Sequence, residues 1–373
     1  MSNNPYNMKQ IDEFLFECDV RNLDYDLAKS FFENLTIEKL MGCTSFTKNG
    51  LYGRSYDVVY DNSSTLIAHV DDSKYKNMAV TGVLLNQDNC LDIVNGVDNH
   101  EDIMKIVPFF ALDGINEAGV TCNINILPVG DLEAYGVADV ESKEKICAFM
   151  LGRFILDNFG SAKEAVEYIR DYCDIYLPNG PNGVSFHFMV SDPEEKTYIL
   201  EFVEGKTVIM ENNIMTNFYM TDAKFNEDGT IAVPSTSEGE VSKIANVTPH
   251  GQGLERYNIV VEDYDKLETV EDFFNTLHKL RFTNLYREET NPPWYTDLSD
   301  YADITVDDPL SSFAELKEVV DGFFANPVRE PAYDENGKVL SSEQSAHQSV
   351  WDIENRVLYI ETQEKDGSYK FSL

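Results

Sequence analysis

The stretch MGCTSFTKNGLYGRSYDVVY, residues 41–60, combines residue types that can carry out covalent chemistry. Cys43 directly follows Gly42, and Arg54 and Asp57 lie three residues apart in the segment behind it. A cysteine is a nucleophile as the thiolate, so it needs a base close by. Any nucleophilic role of Cys43 therefore depends on finding that base in the chain.

The usual base for a catalytic cysteine is histidine. No recognisable Cys–His signature surrounds any of the six histidines, which are His69, His100, His187, His250, His278 and His347. Because His187 alternates with Phe186 and Phe188 in a predicted strand, we interpret it as a structural histidine.

An α-amino group is an alternative base, since its reference pKa is about 7.7. Cleavage before Cys43 would place such a group on the same residue as the thiol. Gly42 suits a cleavage site, because glycine tolerates strained backbone angles and leaves its carbonyl carbon accessible. The thiol could attack that carbonyl, and water could release the resulting thioester. On these two residues alone, a buried structural cysteine in an ordinary strand is the commoner situation.

Composition limits the other functional classes. The chain has 373 residues, of which 43% are hydrophobic, enough for one large domain or two. Acidic residues outnumber basic ones by 66 to 29, and the net charge of -37 would repel a phosphate backbone, so no nucleic acid partner is expected. The six cysteines include no CxxC pair, which argues against a zinc site and a disulfide framework. The first twenty residues have no signal-peptide character, so we predict a cytoplasmic protein without a membrane partner.

The elements that would position Cys43 follow from hydrophobic spacing. Residues 7–40 predict two amphipathic helices, and short β-rich segments with turn residues between them begin after Gly42. Strands and helices then alternate in blocks, mostly with hairpin links, which favours antiparallel sheets covered by helices. Later helices are predicted in VESKEKICAFMLGRFILDNFG, AKEAVEYIRDYC, TVEDFFNTLHKL and PLSSFAELKEVVDGFF.

Five blocks of the chain, in order from residue 42 to the C-terminus, carry a family resemblance. They are GCTSF…GLYGRSYD, DGINEAGVTCNINILP, SFHFMVSDPEEKTYILEFVEGKTVIMENNIMTNF, GLERYNIV and SVWDIENRVLYIE. Together they resemble N-terminal-nucleophile (Ntn) cysteine hydrolases of the choloylglycine hydrolase and penicillin acylase type, and the related acyl-CoA:6-aminopenicillanic acid acyltransferases. The resemblance implies an α+β fold, a four-layer αββα sandwich. It also implies an Ntn-hydrolase domain at 43–373 behind a helical leader at 1–42, a pro-segment released by cleavage between Gly42 and Cys43.

The resemblance also implies roles for single residues. Cys43 matches the nucleophile, Asp57 the aspartate that holds the free α-amino group, and Arg54 the arginine that sets the environment of the thiol. A nearby cation favours the thiolate, so this assignment is physically reasonable.

Three further residues match the oxyanion site and its charge network. Asn217 matches an asparagine that donates to the oxyanion of the tetrahedral intermediate, and Asn125 matches a second asparagine there. Asn123 lies two residues away on the same strand face and is the alternative to Asn125. Arg256 matches the arginine that closes the charge network.

The predicted function is hydrolysis of a linear, non-peptide amide of a small-molecule N-acyl compound through an acyl-thioester, with no metal or organic cofactor. An acyltransferase that passes the acyl group to an amine from the same site is one alternative. A non-enzymatic binding protein that keeps the fold and remains uncleaved is another. The sequence is compatible with a homo-oligomer.

Overall fold

The computed structural model describes residues 7, 9–12, 15–32, 42–58, 64–85, 105–127, 138, 141, 144–176, 185–203, 205–223, 225, 227–229, 251–280, 332–333, 339–341, 344–362 and 367–373. The helices are α1 (Tyr25–Phe32), α2 (Ala148–Asn158), α3 (Ala162–Tyr172), α4 (Leu254–Asp263) and α5 (Val270–Lys279). Short 3-10 helices occupy Val107–Phe109, Met220–Asp222 and Tyr264–Lys266.

The strands, in chain order, are β1 (Lys9–Gln10), β2 (Leu15–Val20), β3 (Gly42–Lys48), β4 (Leu51–Val58), β5 (Ser64–Val70), β6 (Asn77–Leu85), β7 (Ala111–Asn116), β8 (Thr121–Leu127), β9 (Glu144–Cys147), β10 (Cys173–Tyr176), β11 (Ser185–Ser191), β12 (Thr197–Val203), β13 (Lys206–Glu211), β14 (Ile214–Met215), β15 (Asn217–Phe218), β16 (Gly251–Gln252), β17 (Ala332–Tyr333), β18 (Val339–Ser341), β19 (Gln344–Asp352), β20 (Val357–Thr362) and β21 (Tyr369–Ser372).

Two sheets form the centre of the molecule. The larger has nine strands in the order β1-β2-β5-β6-β7-β8-β11-β12-β13, and the smaller has six in the order β14-β3-β4-β19-β20-β21. Neighbouring strands of both sheets are antiparallel, except that β2 runs parallel to β5. Three two-stranded ladders, β9 with β10, β15 with β16 and β17 with β18, complete the described strands.

Helices cover the outer face of each sheet. Helices α2 and α3 pack on the larger sheet, and α4 and α5 pack on the smaller one. On α5, the apolar side chains of Phe273 and Leu277 are fully buried, and the Phe273 ring stacks on Phe46 of β3 at 5.0 Å. Gly53 makes room for this contact, since a Cβ there would lie 2.7 Å from Phe273. The layers are helix, sheet, sheet and helix, which confirms the αββα sandwich.

Helix ends agree with the capping residues in the sequence. Ser161 begins α3 by accepting a hydrogen bond from the backbone of Glu164, and Thr269 and Asp272 form a complete capping box on α5.

Helix α2 is shorter than predicted, because residues 144–147 form a strand before it. The helix predicted at residues 309–324 lies outside the described residues. Within the described part of the chain, no helix is long and apolar enough to cross a membrane.

The N-terminal segment differs from its prediction. Residues 24–41 do contain a helix, α1, but the segment MKQIDEFLFECDV was wrongly predicted as helical, because Leu15–Val20 is strand β2. The segment fits a helical spacing through Leu15 and Cys18, yet residues 16–20 also alternate apolar and acidic. Pairing with β5 selects the strand over the helix, because the paired strand buries Leu15, Cys18 and Val20 almost completely. The division between a leader and the rest of the chain stays a prediction.

Candidate active site

Cys43 lies on β3, in the smaller sheet, with its side chain 2% exposed. Its Sγ is 3.4 Å from Nη2 of Arg54, on the adjacent strand β4. Arg54 is held by the opposite sheet, because it also donates to the backbone carbonyls of Leu112 and, at 2.7 Å, Ile124. The guanidinium therefore links the two sheets beside the thiol, and its own position is fixed.

The environment of the thiol contains two opposing effects. Burial raises the pKa of Cys43 above its usual value, and the charge and hydrogen bond of Arg54 lower it in part. Burial is the larger effect, so the pKa of the thiol stays above its usual value in the uncleaved chain. A group that can take up its proton is thus required before the sulfur can act as a nucleophile.

Asn217 contacts the backbone nitrogen of Cys43. The Cys43 N–H donates to Asn217 Oδ1 at 2.8 Å, and the same oxygen accepts a hydrogen bond from Arg256 Nη2 at 2.6 Å. The Asn217 Nδ2 donates to the carbonyl of Ile126 at 2.6 Å. An amide nitrogen carries two hydrogens, so one N–H remains after the bond to Ile126. This asparagine links Cys43, Arg256 and the larger sheet.

Arg256 reaches the site from a helix that packs on the smaller sheet. It lies in the first turn of α4, and its Nη1 donates to the carbonyl of Cys43 at 2.7 Å and to Thr44 Oγ1 at 3.0 Å. Gly253 precedes the helix with a φ of +87°, and a Cβ at that position would lie 2.7 Å from Arg256 Nη2. Glycine is needed there both for the left-handed backbone and for the close approach of the guanidinium.

Asp57 lies on β4 directly opposite Gly42 in the strand pairing. Its Oδ1 accepts hydrogen bonds from Ser55 at 2.8 Å and Ser345 at 2.5 Å. Its Oδ2 is 3.7 Å from Arg256 Nη1 and accepts no hydrogen bond from the described residues. Burial raises the pKa of Asp57 to about 6, although Arg256 and the two serines favour the carboxylate. One carboxylate oxygen is therefore available beside the Gly42–Cys43 bond.

The two asparagines of β8 both lie in this buried region. Asn125 Nδ2 donates to the carbonyls of Met215 at 3.3 Å and Thr216 at 3.1 Å. Asn123 Nδ2 donates to Ser45 Oγ at 2.6 Å and to Asn125 Oδ1 at 3.1 Å. Asn125 thus supports the backbone next to Asn217, and Asn123 lies one contact further away.

The structure brings all six residues selected from the sequence into one buried network. It adds a carboxylate that sequence reasoning missed, Asp113 of β7, which is fully buried and accepts a hydrogen bond from Ser349 at 2.6 Å. Burial raises the pKa of Asp113, and the nearby charge of Arg54 lowers it in part. Its signal was present in FFALDGIN, where a single carboxylate in an apolar strand requires a buried cation or donor.

Among the described residues, no cluster of three or more His, Cys, Asp or Glu side chains could hold a metal ion.

Comparisons with known proteins agree with the resemblance. A family model described as acyl-coenzyme A:6-aminopenicillanic acid acyl-transferase matches residues 107–292. A bile salt hydrolase/transferase of Clostridium perfringens (strain 13 / Type A) is 29% identical over 172 residues, which are 45% of this chain and 49% of that protein. A penicillin V acylase of Pectobacterium atrosepticum is 27% identical over 112 residues, 28% of this chain and 29% of that protein. The chain therefore matches about half the length of the first relative and less than a third of the second.

Solved structures are also similar. A mutant of the conjugated bile acid hydrolase from Clostridium perfringens has a TM-score of 0.44 at 17% identity, covering 89% of this chain and 92% of that one. The penicillin V acylase from Agrobacterium tumefaciens has a TM-score of 0.40 at 15% identity, covering 89% and 86%. The family-model match and the curated relatives confirm the resemblance found in the sequence: over about half of its length the chain is similar to proteins of the choloylglycine hydrolase, penicillin acylase and acyl-coenzyme A:6-aminopenicillanic acid acyl-transferase type.

Proposed function

We propose that the protein hydrolyses a linear, non-peptide amide of a small-molecule N-acyl compound, with Cys43 as an N-terminal nucleophile. The proposal rests on the groups that surround Cys43. Its sulfur lies beside the Arg54 guanidinium, and its nitrogen is hydrogen-bonded by Asn217. A residue whose nitrogen and sulfur are both held by polar side chains suits a nucleophile that uses its own amine as the base.

Maturation would begin with the uncleaved Gly42–Cys43 bond. The Cys43 sulfur attacks the Gly42 carbonyl carbon and forms a C–S bond as the C–N bond breaks, and the thiol proton passes to the departing nitrogen. Water then hydrolyses the thioester, which leaves a carboxylate on Gly42 and a free thiol and amine on Cys43. Asp57 lies opposite Gly42 in the strand pairing, so its available Oδ2 is the acceptor we assign to the new amine.

Turnover would use the same groups. The α-amine takes the thiol proton as sulfur attacks the substrate carbonyl, and the oxyanion receives an N–H from the Asn217 side chain. The leaving amine takes that proton from the α-ammonium as its C–N bond breaks, which leaves an acyl-thioester. Water attacks the thioester, gives a proton to the α-amine, and releases the acid and the thiol. Arg54 favours the thiolate throughout, because its position is fixed by carbonyls of the larger sheet.

The names of the relatives support the substrate class. One is a bile salt hydrolase/transferase and the other a penicillin V acylase, so an amide that joins an acyl group to a small amine is the substrate we assign.

An acyltransferase is the second candidate. The matching family model is described as an acyl-transferase, and the first relative is named hydrolase/transferase. In that reaction an amine replaces water in the attack on the acyl-thioester, and all other steps are unchanged. Product analysis with increasing concentrations of added amines distinguishes the two, because a transferase diverts most of the acyl group to the amine at low concentrations.

Cleavage before Cys43 can be tested by intact mass. Incubation of the 42.4-kDa chain in reducing, near-neutral buffer should give two masses that sum to the full chain plus one water, with Cys43 at the start of the larger fragment. Because β2 pairs with β5 and Phe32 of α1 stacks on Phe149, the smaller fragment should stay bound under native conditions.

Matched variants make this test specific. Cys43→Ala should remain full length, whereas Cys122→Ala, which removes another buried strand thiol, should be cleaved like the wild type. A wild-type chain that stays intact, with a Cys43 thiol no more reactive than a model thiol, would instead support the uncleaved binding protein.

A further inference from the structure

We propose that the buried pair of His187 and Glu201 is a positioning device for Asn217. The pair holds the backbone on both sides of that asparagine, so that its amide stays beside Cys43. The inference rests on the proposed function and assigns a further role within the same site.

The histidine contacts the residue before Asn217. His187 is fully buried on β11, across from Asn125 in the strand register. Its Nε2 lies 2.8 Å from the carbonyl oxygen of Thr216, and Asn125 Nδ2 donates to the same oxygen at 3.1 Å. Two side chains of the larger sheet therefore fix one carbonyl, and with it the plane of the peptide bond that leads into Asn217.

The glutamate contacts the residues that follow Asn217. Glu201 is fully buried on β12, and its Oε1 lies 3.2 Å from His187 Nδ1 and accepts the Met220 N–H at 2.6 Å. Its Oε2 accepts the N–H and the hydroxyl of Thr221, both at 3.0 Å. The carboxylate thereby holds the start of the 3-10 helix at Met220–Asp222, while the histidine holds the other side of Asn217.

The protons of the pair exclude another role for His187. A carbonyl oxygen only accepts, so Nε2 must carry a hydrogen toward Thr216. The contact between Nδ1 and Glu201 requires a second proton, either on the ring or on the carboxyl group, because two acceptors do not bind each other. Every hydrogen-bonding position of the ring is then occupied, and no lone pair is left to deprotonate a thiol. His187 is a positioning residue and not the base of a Cys–His pair.

Such positioning matters because Asn217 makes three short contacts at the site. Its side chain binds the Cys43 nitrogen, the Arg256 guanidinium and the Ile126 carbonyl at 2.8, 2.6 and 2.6 Å. If the Thr216–Asn217 peptide rotates, all three contacts and the N–H assigned to the oxyanion move together. A misplacement of about 1 Å can reduce a catalytic rate by about 10²-fold.

The experiment compares His187→Leu, His187→Gln and Glu201→Gln with the wild type. His187→Leu removes the bond to Thr216, and we expect kcat per titrated Cys43 thiol to fall by roughly 10–10²-fold with KM changed by less than about threefold. His187→Gln keeps an N–H that can reach the Thr216 carbonyl and should recover most of that loss. His278→Leu is the control, because it breaks another His–Glu contact, of 2.6 Å to Glu361 between α5 and β20, and should leave kcat unchanged.

A double-variant cycle tests whether the effect passes through Asn217. In the Asn217→Ala background, His187→Leu should cost much less than it does alone, because the side chain that it positions is already missing. Full additivity would overturn the inference, as would a lower melting temperature with unchanged kcat per thiol. If His187→Leu does not fold, Glu201→Gln decides on the same criteria. A wild type that neither turns over nor forms an acyl-thioester overturns the proposed function, and the inference with it; an active wild type with unaffected variants overturns the inference alone.

Discussion

Replacing Asn217 by alanine should lower kcat by roughly 10²–10³-fold, the usual effect of losing one donor to a transition-state oxyanion. KM should change little, because that donor acts mainly in the transition state. The variant also loses the contacts to Cys43 and Arg256, so the melting temperature should fall. An activated ester should still acylate Cys43 slowly, since the substitution removes neither the thiol nor the α-amine and takes away only the contact of that amine to Asn217.

A matched control separates chemistry from stability. Asn116 is another fully buried asparagine at a strand end, and its Nδ2 donates to the carbonyls of Leu156 at 3.0 Å and Phe159 at 2.8 Å. Asn116→Ala should therefore lower the melting temperature and leave kcat per titrated thiol unchanged. If Asn217→Ala behaves in the same way, its assignment to the oxyanion is wrong.

Asp57→Asn should remove most of the activity, by at least roughly 10²-fold, because the α-amine loses the carboxylate that holds it ready as a base. The neutral amide can still accept from Ser55 and Ser345, so the fold should be kept. Intact mass and turnover, measured on the same preparation, show whether maturation, catalysis or both are affected. Near-normal turnover would mean that Asp57 does not hold the amine.

The same substitution should stabilise the uncleaved chain at neutral pH. Burial raises the Asp57 pKa from 3.8 to about 6, so the folded state favours the protonated acid. Protonation of Asp57 therefore contributes to the free energy of unfolding. This contribution is fully present below pH 3.8, is lost as the pH rises through about 6, and amounts to on the order of 3 kcal/mol.

Unfolding measurements in a Cys43→Ala background avoid cleavage and isolate this effect. There Asp57→Asn should raise the free energy of unfolding at pH 7 and have little effect near pH 4. As a control, Asp192→Asn alters a buried carboxylate that accepts backbone N–H groups of Ala162 and Glu194, and it should destabilise the chain. A stabilising effect of Asp57→Asn that is equal at both pH values would contradict the buried-charge explanation.

Much of this architecture follows from local sequence. The capping residues Ser161 and Thr269 begin α3 and α5 as expected, because a cap satisfies backbone donors within three residues of itself. Alternation of apolar and polar residues likewise places the central strands, and the spacing of Arg54 and Asp57 places both on β4. These features depend on neighbours in the chain, so the sequence alone was sufficient for them.

The tertiary structure decided what local patterns leave open. β2 satisfies a helical and a strand spacing, and only its parallel pairing with β5 selects the strand. Cys43 is 174 residues from Asn217 and 213 from Arg256, so their contacts depend on the packing of two sheets and a helix. The contacts behind the role proposed for His187 could not be predicted for the same reason: its partners Glu201 and Thr216 meet it only across strands. Backbone periodicity determines which elements form, whereas burial and the pairing of distant strands determine which side chains share a site.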